Sequence, residues 1–399
     1  MDERGVTVRP TCPACGSGDV SVFFEARGVP TLVNFLHATR ESAVECPRGD
    51  IVLALCGRCE LISNEAFDPS KLVYGESYEN ALHHSELFRN YAAGLAQDLT
   101  ERFDLRGKTL VEIGCGDGSF LRLLCEGGGN RGVGFDPSFA GSRVTDPLGI
   151  EIVQDYYSEK YSHVQADFIY SRHTLEHVKN PADLLGSLRR SIGERVDTPV
   201  FLEVPNGSYT LRNCFVWDII YEHTSYFTAR SLSNVLENSG FRVARAYEAF
   251  SGQYVCAEAF AAKNPPLEEP GQQRQTPRGS EPGDEIARFV SGYREYLQRW
   301  ERCLKELRAA GKRVAVWGAG SKGVTFLNTF DVRGVVEHVV DINPRKHGMF
   351  VAGAGQRIVA PEELTEPRPD TVLVVNPVYR AEVEESLGKM GLVPEVITL

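Results

Sequence analysis

The segment Val111–Gly118 most constrains what this chain can fold into. It reads Val-Glu-Ile-Gly-Cys-Gly-Asp-Gly and directly follows the apolar residues Thr109 and Leu110. Alternating glycines let a backbone turn tightly out of a buried strand and into a helix, which here begins near Ser119. The segment therefore predicts a strand-turn-helix unit of an α/β fold with a parallel sheet.

Two acids indicate which ligand this turn holds. Glu112 stands two residues before the first glycine, where it can orient an amino group, and Asp136 follows about one strand-helix-strand unit later, where ribose hydroxyls need an acceptor. A Gly-x-Gly-x-x-Gly dinucleotide loop lacks the leading acid, and the remaining alternative is a glycine turn without a ligand. We predict an S-adenosylmethionine (SAM) site formed by Glu112, Gly114, Gly116, Gly118, Asp136, Asp155 and His173.

Length, charge and composition limit the function. The chain has 399 residues, of which 42% are hydrophobic, and a net charge of −11. This length predicts two or three domains with ordinary cores, and the acidic charge disfavours nonspecific binding to nucleic acid. Neither a signal peptide nor a membrane-length apolar run is evident. We expect a cytoplasmic enzyme for a small molecule, without a nucleic-acid or membrane partner, and the sequence leaves its oligomeric state open.

Cysteine spacing predicts a metal site near the N-terminus. Of ten cysteines, four form two Cys-x-x-Cys pairs, namely Cys12 with Cys15 and Cys56 with Cys59. Four thiolates at this spacing suit tetrahedral Zn²⁺ and leave no open coordination position, so the predicted role is structural. A redox-active pair is the alternative, although it would account for only one of the two pairs.

Breaks in composition divide the chain. We predict a zinc-binding module over residues 1–69, a class I SAM-methyltransferase core with a Rossmann-like fold over 70–265, a linker rich in Pro, Gly and Gln over 266–285, and a second Rossmann-like domain over 286–399 that binds substrate or a nucleotide.

A second glycine loop marks the last of these domains. Residues Gly318–Gly323 follow an apolar strand, and Asp341 ends the next strand. This pattern alone is weakly specific, and an unliganded Rossmann-like fold satisfies it too. The helix beginning at Ser321 can hold a phosphate on its free amides, with Lys322 adding charge. A nucleotide-sugar diphosphate is as compatible with the loop as a nicotinamide cofactor.

Histidines and acids cluster where the chemistry is expected. Asp167–Tyr170 reads as the fourth strand of the first sheet and delivers Ser171–Val178, which includes His173 and His177, to its carboxyl edge. The loop after the fifth strand, Phe201–Val204, carries the pair Glu222-His223. A histidine beside a carboxylate can accept a proton near neutral pH, although a structural ion pair would have the same sequence.

The order of these motifs resembles the sugar C-methyltransferases of antibiotic deoxysugar pathways. The resemblance covers nearly the whole chain and implies a nucleotide-linked 4-keto-6-deoxysugar that is methylated at C3. By position, His223 would remove the C3 proton, Glu222 would orient and polarise it, His177 would support the enolate oxygen, and Tyr78 would line the cleft. The substrate-binding residues implied or predicted are Tyr221, Asn206, Ser321 and Lys322.

The chain departs from that family's pattern near the expected substrate pocket. Ile220 replaces a tyrosine two residues before Glu222, an aromatic hydroxyl appears instead at Tyr221, and His173 stands where an amide is expected. Two other classes therefore stay open: a methyltransferase acting on oxygen or nitrogen of another intermediate, and a noncatalytic binding module.

Overall fold

A computed structural model describes residues 11–72, 75, 77–139, 148–263 and 282–399. Most of the predicted linker, 266–285, lies outside these residues. Its last four residues are not linker but the first turn of a long helix, which begins at Pro282. The acids Asp284 and Glu285 in that first turn favour the helical start because they complement the positive end of the helix dipole.

Within the described residues the strands are β1 (Val20–Pro30), β2 (Arg48–Cys56), β3 (Ile62–Asn64), β4 (Thr109–Ile113), β5 (Arg131–Phe135), β6 (Ile150–Val153), β7 (Phe168–Arg172), β8 (Pro199–Pro205), β9 (Ser225–Tyr226), β10 (Phe241–Ala249), β11 (Tyr254–Ala261), β12 (Val314–Trp317), β13 (Val336–Val340), β14 (Ile358–Val359), β15 (Thr371–Val374) and β16 (Glu395–Thr398). The α-helices are α1 (Arg40–Val44), α2 (Glu86–Arg102), α3 (Ser119–Gly128), α4 (Pro181–Ile192), α5 (Gly207–Arg212), α6 (Ala229–Asn238), α7 (Pro282–Ala309), α8 (Ser321–Thr329) and α9 (Arg380–Lys389).

The central sheet has the strand order β10-β11-β8-β7-β4-β5-β6. Strands β4 to β8 run parallel, whereas β11 and β10 are antiparallel additions at one edge. Helices α2 and α3 contribute apolar side chains to the core on one face, and α4 and α6 do so on the other. The order reverses between β4 and β7, which is where α/β sheets form a ligand crevice at the carboxyl ends of their strands.

The N-terminal sheet is not self-contained. Its order is β1-β2-β3-β9, so its last strand comes from residues 225 and 226, far beyond the predicted module. Helix α7 also packs against it, since the ring of Phe24 lies 5.6 Å from Phe289 and 5.4 Å from Tyr293. Pairing of β9 with β3 fixes the position of the loop before β9 relative to the N-terminal sheet.

The last part of the chain forms a parallel sheet of order β14-β13-β12-β15-β16. Its core is continuous with that of the N-terminal sheet and of the segment 211–226, so these three parts share one apolar interior. The second glycine loop lies between β12 and α8, at the carboxyl edge of this sheet. None of the described helices is both long enough and apolar enough to cross a bilayer.

Candidate active site

The first glycine loop connects β4 to α3 as predicted. Gly114, Gly116 and Gly118 have φ values of +74°, +54° and +78°, a region that strongly favours glycine. A Cβ added at Gly114 would meet the Thr174 side-chain oxygen at 1.9 Å, whereas one added at Gly116 would meet no described atom within 4 Å. Gly114 therefore permits close packing of the chain, and Gly116 borders open space that a ligand can enter.

The two predicted acids flank this loop. The Asp136 carboxylate accepts a hydrogen bond of 2.8 Å from the Gly116 amide and another of 2.8 Å from the Ser138 amide. Glu112 is buried at the end of β4 and accepts a 3.1 Å hydrogen bond from the Tyr170 hydroxyl. Burial raises the pKa of Glu112 to about 8. A positively charged amino group beside it would favour the ionised carboxylate.

The other two residues assigned to this site are differently placed. Asp155 follows β6 and is held by the Tyr161 hydroxyl at 2.6 Å and by Lys160, with which it forms an ion pair. His173 has φ +51° and lies 2.9 Å from a carboxylate oxygen of Glu203. It therefore belongs to the Glu203 network at the end of β7 and β8.

The segment that follows β7 lies directly on the glycine loop, through the contact between Thr174 and Gly114. It brings His177 to His223, with ring centroids 5.0 Å apart. Nδ1 of His177 is 3.1 Å from the backbone carbonyl of Glu222. Two histidines that are 46 positions apart in the chain thus meet beside the cofactor loop.

Burial sets the charge of this pair. It lowers the pKa of His177 to about 4 and that of His223 well below its ordinary value. The charges of His177 and Lys322 act on His223 in the same direction, while a hydrogen bond with the Asp218 backbone opposes them. Both imidazoles are therefore neutral near pH 7, and the same burial makes each a weaker base than a free imidazole.

Glu222 does not orient His223 as the resemblance implied. One carboxylate oxygen accepts a 2.5 Å hydrogen bond from the Val33 amide, and the other accepts one of 2.5 Å from the Tyr78 hydroxyl. The side chain is completely buried and points away from His177, toward the turn after β1 and the segment at Tyr78, because these supply its donors. Its contribution to the histidines is the backbone carbonyl that binds His177.

Two predicted substrate residues are occupied elsewhere. Tyr221 is completely buried against the N-terminal sheet, where its hydroxyl accepts a 2.8 Å hydrogen bond from the Asp68 amide. Asn206 caps α5 by accepting from the Ser208 amide at 3.0 Å, and it donates to the Gly252 carbonyl at 2.8 Å. Both side chains hold the 206–227 segment in place, so neither prediction of substrate contact is supported by their position.

The second glycine loop reaches the same cleft. Nζ of Lys322, in the first turn of α8, lies 2.5 Å from Oδ1 of Asp218, and both side chains are mostly buried. Ser321 is the first residue of that helix. Asp341 accepts a 2.9 Å hydrogen bond from the Ala319 amide, which is the relationship that Asp136 has with the first loop. Lys322 thus connects the C-terminal sheet to the histidine pair.

Sequence reasoning missed a buried network beneath His173. Glu203, in β8, forms an ion pair of 2.8 Å with Arg172 and accepts a hydrogen bond from the Tyr91 hydroxyl. Burial alone would raise the pKa of Glu203, but the neighbouring Arg172 and His173 lower it to about 2. The Tyr254 ring packs against His173 at 4.5 Å. A glutamate within the apolar run Phe-Leu-Glu-Val was the available signal.

The four paired cysteines do come together. The four sulfur atoms all lie within 4.8 Å of one another. The distance between the sulfur atoms is 3.4 Å for Cys12 and Cys59 and 3.5 Å for Cys15 and Cys56. A tetrahedral ion with Zn–S bonds of about 2.3 Å separates its sulfur ligands by roughly 3.8 Å. The donor set and its spacing fit Zn²⁺.

Two protein-family models match the chain. A model described as "Methyltransferase domain" matches residues 83–246, and one described as "C-methyltransferase C-terminal domain" matches residues 274–391. The first contains the glycine loop and the histidine pair, and the second contains Lys322. Together with the fold of the central sheet, these matches define the chain as a SAM-dependent methyltransferase.

Full-length similarity narrows this class. The chain is 25% identical to the C-methyltransferase NovU of Streptomyces niveus over 395 residues, which cover 94% of this chain and 92% of the relative. A shorter match, 28% identical over 151 residues, is to the tRNA U34 carboxymethyltransferase of Aliarcobacter butzleri strain RM4018 and spans 35% of this chain and 49% of that protein. The chain is thus related along its length to a C-methyltransferase.

Solved structures with a similar fold are methyltransferases of low identity. The riboflavin-derivative dimethyltransferase RosA from Streptomyces davawensis is 19% identical, with a TM-score of 0.35, and the match covers 44% of this chain and 56% of that one. A putative SAM-dependent methyltransferase from Listeria monocytogenes is 13% identical, with a TM-score of 0.33, and the match covers 44% of this chain and all of that one.

Proposed function

We propose that this methyltransferase adds a methyl group to C3 of a nucleotide-linked 4-keto-6-deoxysugar, as a step in making a natural-product sugar. The observation that carries the proposal is the partly buried pair His177 and His223 beside the SAM loop, with Lys322 of α8 close to it. The full-length similarity to a C-methyltransferase agrees with transfer to carbon.

The loop at Gly116 fits SAM because it offers open space next to the Asp136 carboxylate and the buried Glu112. In this proposal Glu112 binds the amino group and Asp136 lies near the ribose. Bound SAM supplies an electrophilic methyl group, so the chain itself has to generate a carbon nucleophile and hold it in line.

His223 is proposed as the base. The C3–H bond breaks, its proton goes to His223, and its electron pair moves into the C3–C4 bond as the C4 carbonyl becomes an enolate. His177, whose Nδ1 faces the Glu222 carbonyl, is proposed to stand near the enolate oxygen. The positive charge of Lys322 lowers the His223 pKa. A substrate diphosphate bound at Lys322 would neutralise that charge and make His223 a stronger base.

Lys322 and Ser321 are proposed to bind the diphosphate. The first turn of α8 offers free backbone amides to an anion, and Lys322 would exchange its partner Asp218 for a phosphate. In this reading the parallel C-terminal sheet is a second Rossmann-like unit, and the sugar spans the cleft between it and the methyltransferase core. The hydrogen bond between Tyr78 and Glu222 would stabilise the N-terminal side of that cleft.

The N-terminal cysteines are proposed to hold a structural zinc ion, because their four sulfurs fill a tetrahedral shell. The ion would fix the turn before β1 to the turn between β2 and β3, and the turn after β1 contains the Val33 amide that binds Glu222. It takes no part in the methyl transfer.

Proton exchange at C3 tests the proposal directly. The wild-type protein, incubated in D₂O with thymidine-diphosphate-linked 4-keto-6-deoxyglucose and S-adenosylhomocysteine, should incorporate deuterium at C3. His223→Asn should abolish exchange while keeping S-adenosylhomocysteine affinity by calorimetry. His163→Ala is a matched control because its ring is exposed, lies 3.0 Å from the Lys160 carbonyl and 6.4 Å from the Tyr161 ring, and is remote in the fold from the histidine pair.

The product identifies the acceptor atom. With SAM carrying a ¹³C-labelled methyl group, carbon NMR should show the labelled methyl carbon bonded to C3. The C3 atom should then carry no hydrogen. A label on oxygen or nitrogen would overturn transfer to carbon and favour a heteroatom methyltransferase. Cofactor binding without exchange or product on any nucleotide sugar would overturn the sugar substrate.

A further inference from the structure

Glu176 adds a third ligand-type side chain to the histidine pair. Glu176 and His177 follow β7, and His223 precedes β9. One potential ligand atom of each residue lies within 4.8 Å of the other two. Nε2 of His177 is 3.9 Å from Oε1 of Glu176. The set is one carboxylate and two imidazoles, which is a common donor set for divalent transition metals.

The Glu176 carboxylate has unused binding capacity. The residue is 2% exposed, and its Oε2 has no hydrogen-bonding partner among the described residues. A buried carboxylate oxygen without a donor is costly and uncommon in folded proteins. The position of Glu176 against two imidazoles gives this oxygen a use, because an ion between the three groups would satisfy it.

The His177 imidazole is oriented as metal ligands usually are. Nδ1 of His177 faces the Glu222 carbonyl at 3.1 Å, which favours a proton on that nitrogen and makes Nε2, 3.9 Å from the Glu176 carboxylate, the nitrogen of the ring suited to a metal ion. The His223 ring lies against the His177 ring, with ring centroids 5.0 Å apart and the ring planes inclined at 76°. Hydrogen bonds from ligating histidines to backbone carbonyls are the usual outer support of a metal site, since they fix the tautomer and the ring direction.

We propose that Glu176, His177 and His223 bind a divalent transition-metal ion of the zinc type, at a site separate from the four cysteines. Bonds of about 2.1 Å in tetrahedral geometry place ligand atoms roughly 3.4 Å apart, so Nε2 of His177 and Oε1 of Glu176, now 3.9 Å apart, would approach each other by about 0.5 Å on binding. Three protein ligands leave one position for water or a substrate oxygen.

Metal at this site acts as an inhibitor of the proposed reaction, a consequence that rests on the proposed function. The same lone pair of His223 cannot both coordinate the ion and accept the C3 proton. Occupancy therefore removes the base, and excess Zn²⁺ or Co²⁺ should slow C3 exchange even though the structural cysteine site is already filled.

Binding is tested without any sugar. Full-length protein whose cysteine site already holds zinc is titrated with Co²⁺ by calorimetry and by visible absorption. We expect one further Co²⁺ per chain, with weak ligand-field bands and without the ultraviolet charge-transfer band that thiolate ligands give. Glu176→Gln and His177→Ala should each weaken this binding at least about tenfold, whereas His163→Ala should not change it.

The outcomes separate the site from the sugar proposal. Absence of Co²⁺ binding beyond the cysteine site in wild type would overturn the inference whatever the substrate. So would unchanged affinity in Glu176→Gln, provided that its melting temperature shows a folded protein. Binding that leaves the rate of C3 exchange unaltered would overturn the inhibitory role, while failure of exchange in metal-free wild type would count against the sugar and not against the metal.

Discussion

The Tyr78 hydroxyl donates a 2.5 Å hydrogen bond to the Glu222 carboxylate, joining residues that are 144 positions apart. The other oxygen of the same carboxylate accepts from the Val33 amide. Three separate parts of the chain therefore meet at one buried carboxylate, next to the residue proposed as the base. The turn after β1 and the segment at Tyr78 hold the His223 loop through these contacts.

Tyr78→Phe removes one donor while keeping the ring. The Glu222 carboxylate would then lose one of its donors in a buried site, and we expect a loss of about 1.5–3 kcal/mol in the free energy of unfolding. Chemical denaturation measures it. Tyr156→Phe is the control, because that ring is 67% exposed. Equal stability of the two variants would show that Glu222 does not depend on Tyr78.

The free energy of unfolding should depend on pH through the ionisation of Glu222. Burial raises its pKa to about 7 from an ordinary value of 4.5. The folded state thus binds the proton more tightly than the unfolded state, so its contribution is fully present below pH 4.5 and is lost as pH rises through 7. We expect Glu222→Gln to gain stability relative to wild type between pH 5 and pH 8, by up to about 3 kcal/mol.

Denaturation curves at intervals across this range provide the measurement, and only the difference between wild type and variant is used, because other buried acids titrate nearby. Glu384→Gln, an exposed position on α9, is the control and should show a constant difference. A constant difference for Glu222→Gln too would mean that the carboxylate is ionised throughout the range.

Gly114→Ala should mainly reduce stability, whereas Gly116→Ala should mainly reduce cofactor affinity. Gly114→Ala combines left-handed strain with a 1.9 Å approach to Thr174, so we expect a loss of about 2–5 kcal/mol in stability. Gly116→Ala meets no described atom and should cost only the strain of about 1–2 kcal/mol. Its methyl group borders the open space, so the affinity for S-adenosylhomocysteine should fall at least about tenfold.

Thermal melting and calorimetry separate the two effects. Gly107→Ala, which has φ +63° and likewise nothing within 4 Å, is a control for strain at a turn away from the loop. Normal cofactor affinity in Gly116→Ala would show that SAM does not approach this part of the turn.

Local patterns predicted the cofactor loop because its geometry depends on few residues. An apolar strand followed by glycines at φ values that other residues avoid leaves little choice of structure, and β4, the loop and α3 occur where expected. The same holds for β12 and α8. In each case neighbouring residues alone specify the turn.

Side-chain direction in the 206–227 segment was much harder to predict. Tyr221, Glu222 and His223 are consecutive, yet the first two face donors in loops of the N-terminal part and the third faces His177. Pairing of β9 with β3 decides this arrangement, and it joins residues more than 160 positions apart. No local signal specifies such a pairing, so the sequence could not indicate that the Tyr221 side chain is buried against the N-terminal sheet.

Lys322 should control substrate affinity more than stability. Lys322→Met removes the positive charge proposed to face the diphosphate, and loss of a charge-assisted contact predicts a ten- to hundredfold rise in KM, at about 1.5–3 kcal/mol. The kcat value should change less. Lys305→Met, an exposed lysine of α7, is the control. A fall in kcat at constant KM would contradict diphosphate binding by Lys322.

Zinc removal should destabilise more than the N-terminal sheet. The cysteine cluster packs into the core of the methyltransferase unit, and the Cys59 carbonyl accepts a 3.1 Å hydrogen bond from Asn234 of α6. The adjacent Glu60 forms a 2.7 Å ion pair with Arg230 of the same helix. Cys12→Ser should therefore abolish bound zinc and lower the melting temperature of the whole protein in a single transition, because structural zinc contributes several kcal/mol to folding.

Metal analysis and calorimetric melting provide the comparison, with Cys303→Ser in α7 as the control that should keep its zinc. A second, separate transition confined to the variant would show that the N-terminal sheet melts alone. That result would contradict the shared core, since Phe24 of β1, Trp217 of the active-site loop and Phe289 of α7 lie in one apolar cluster and should lose their packing together.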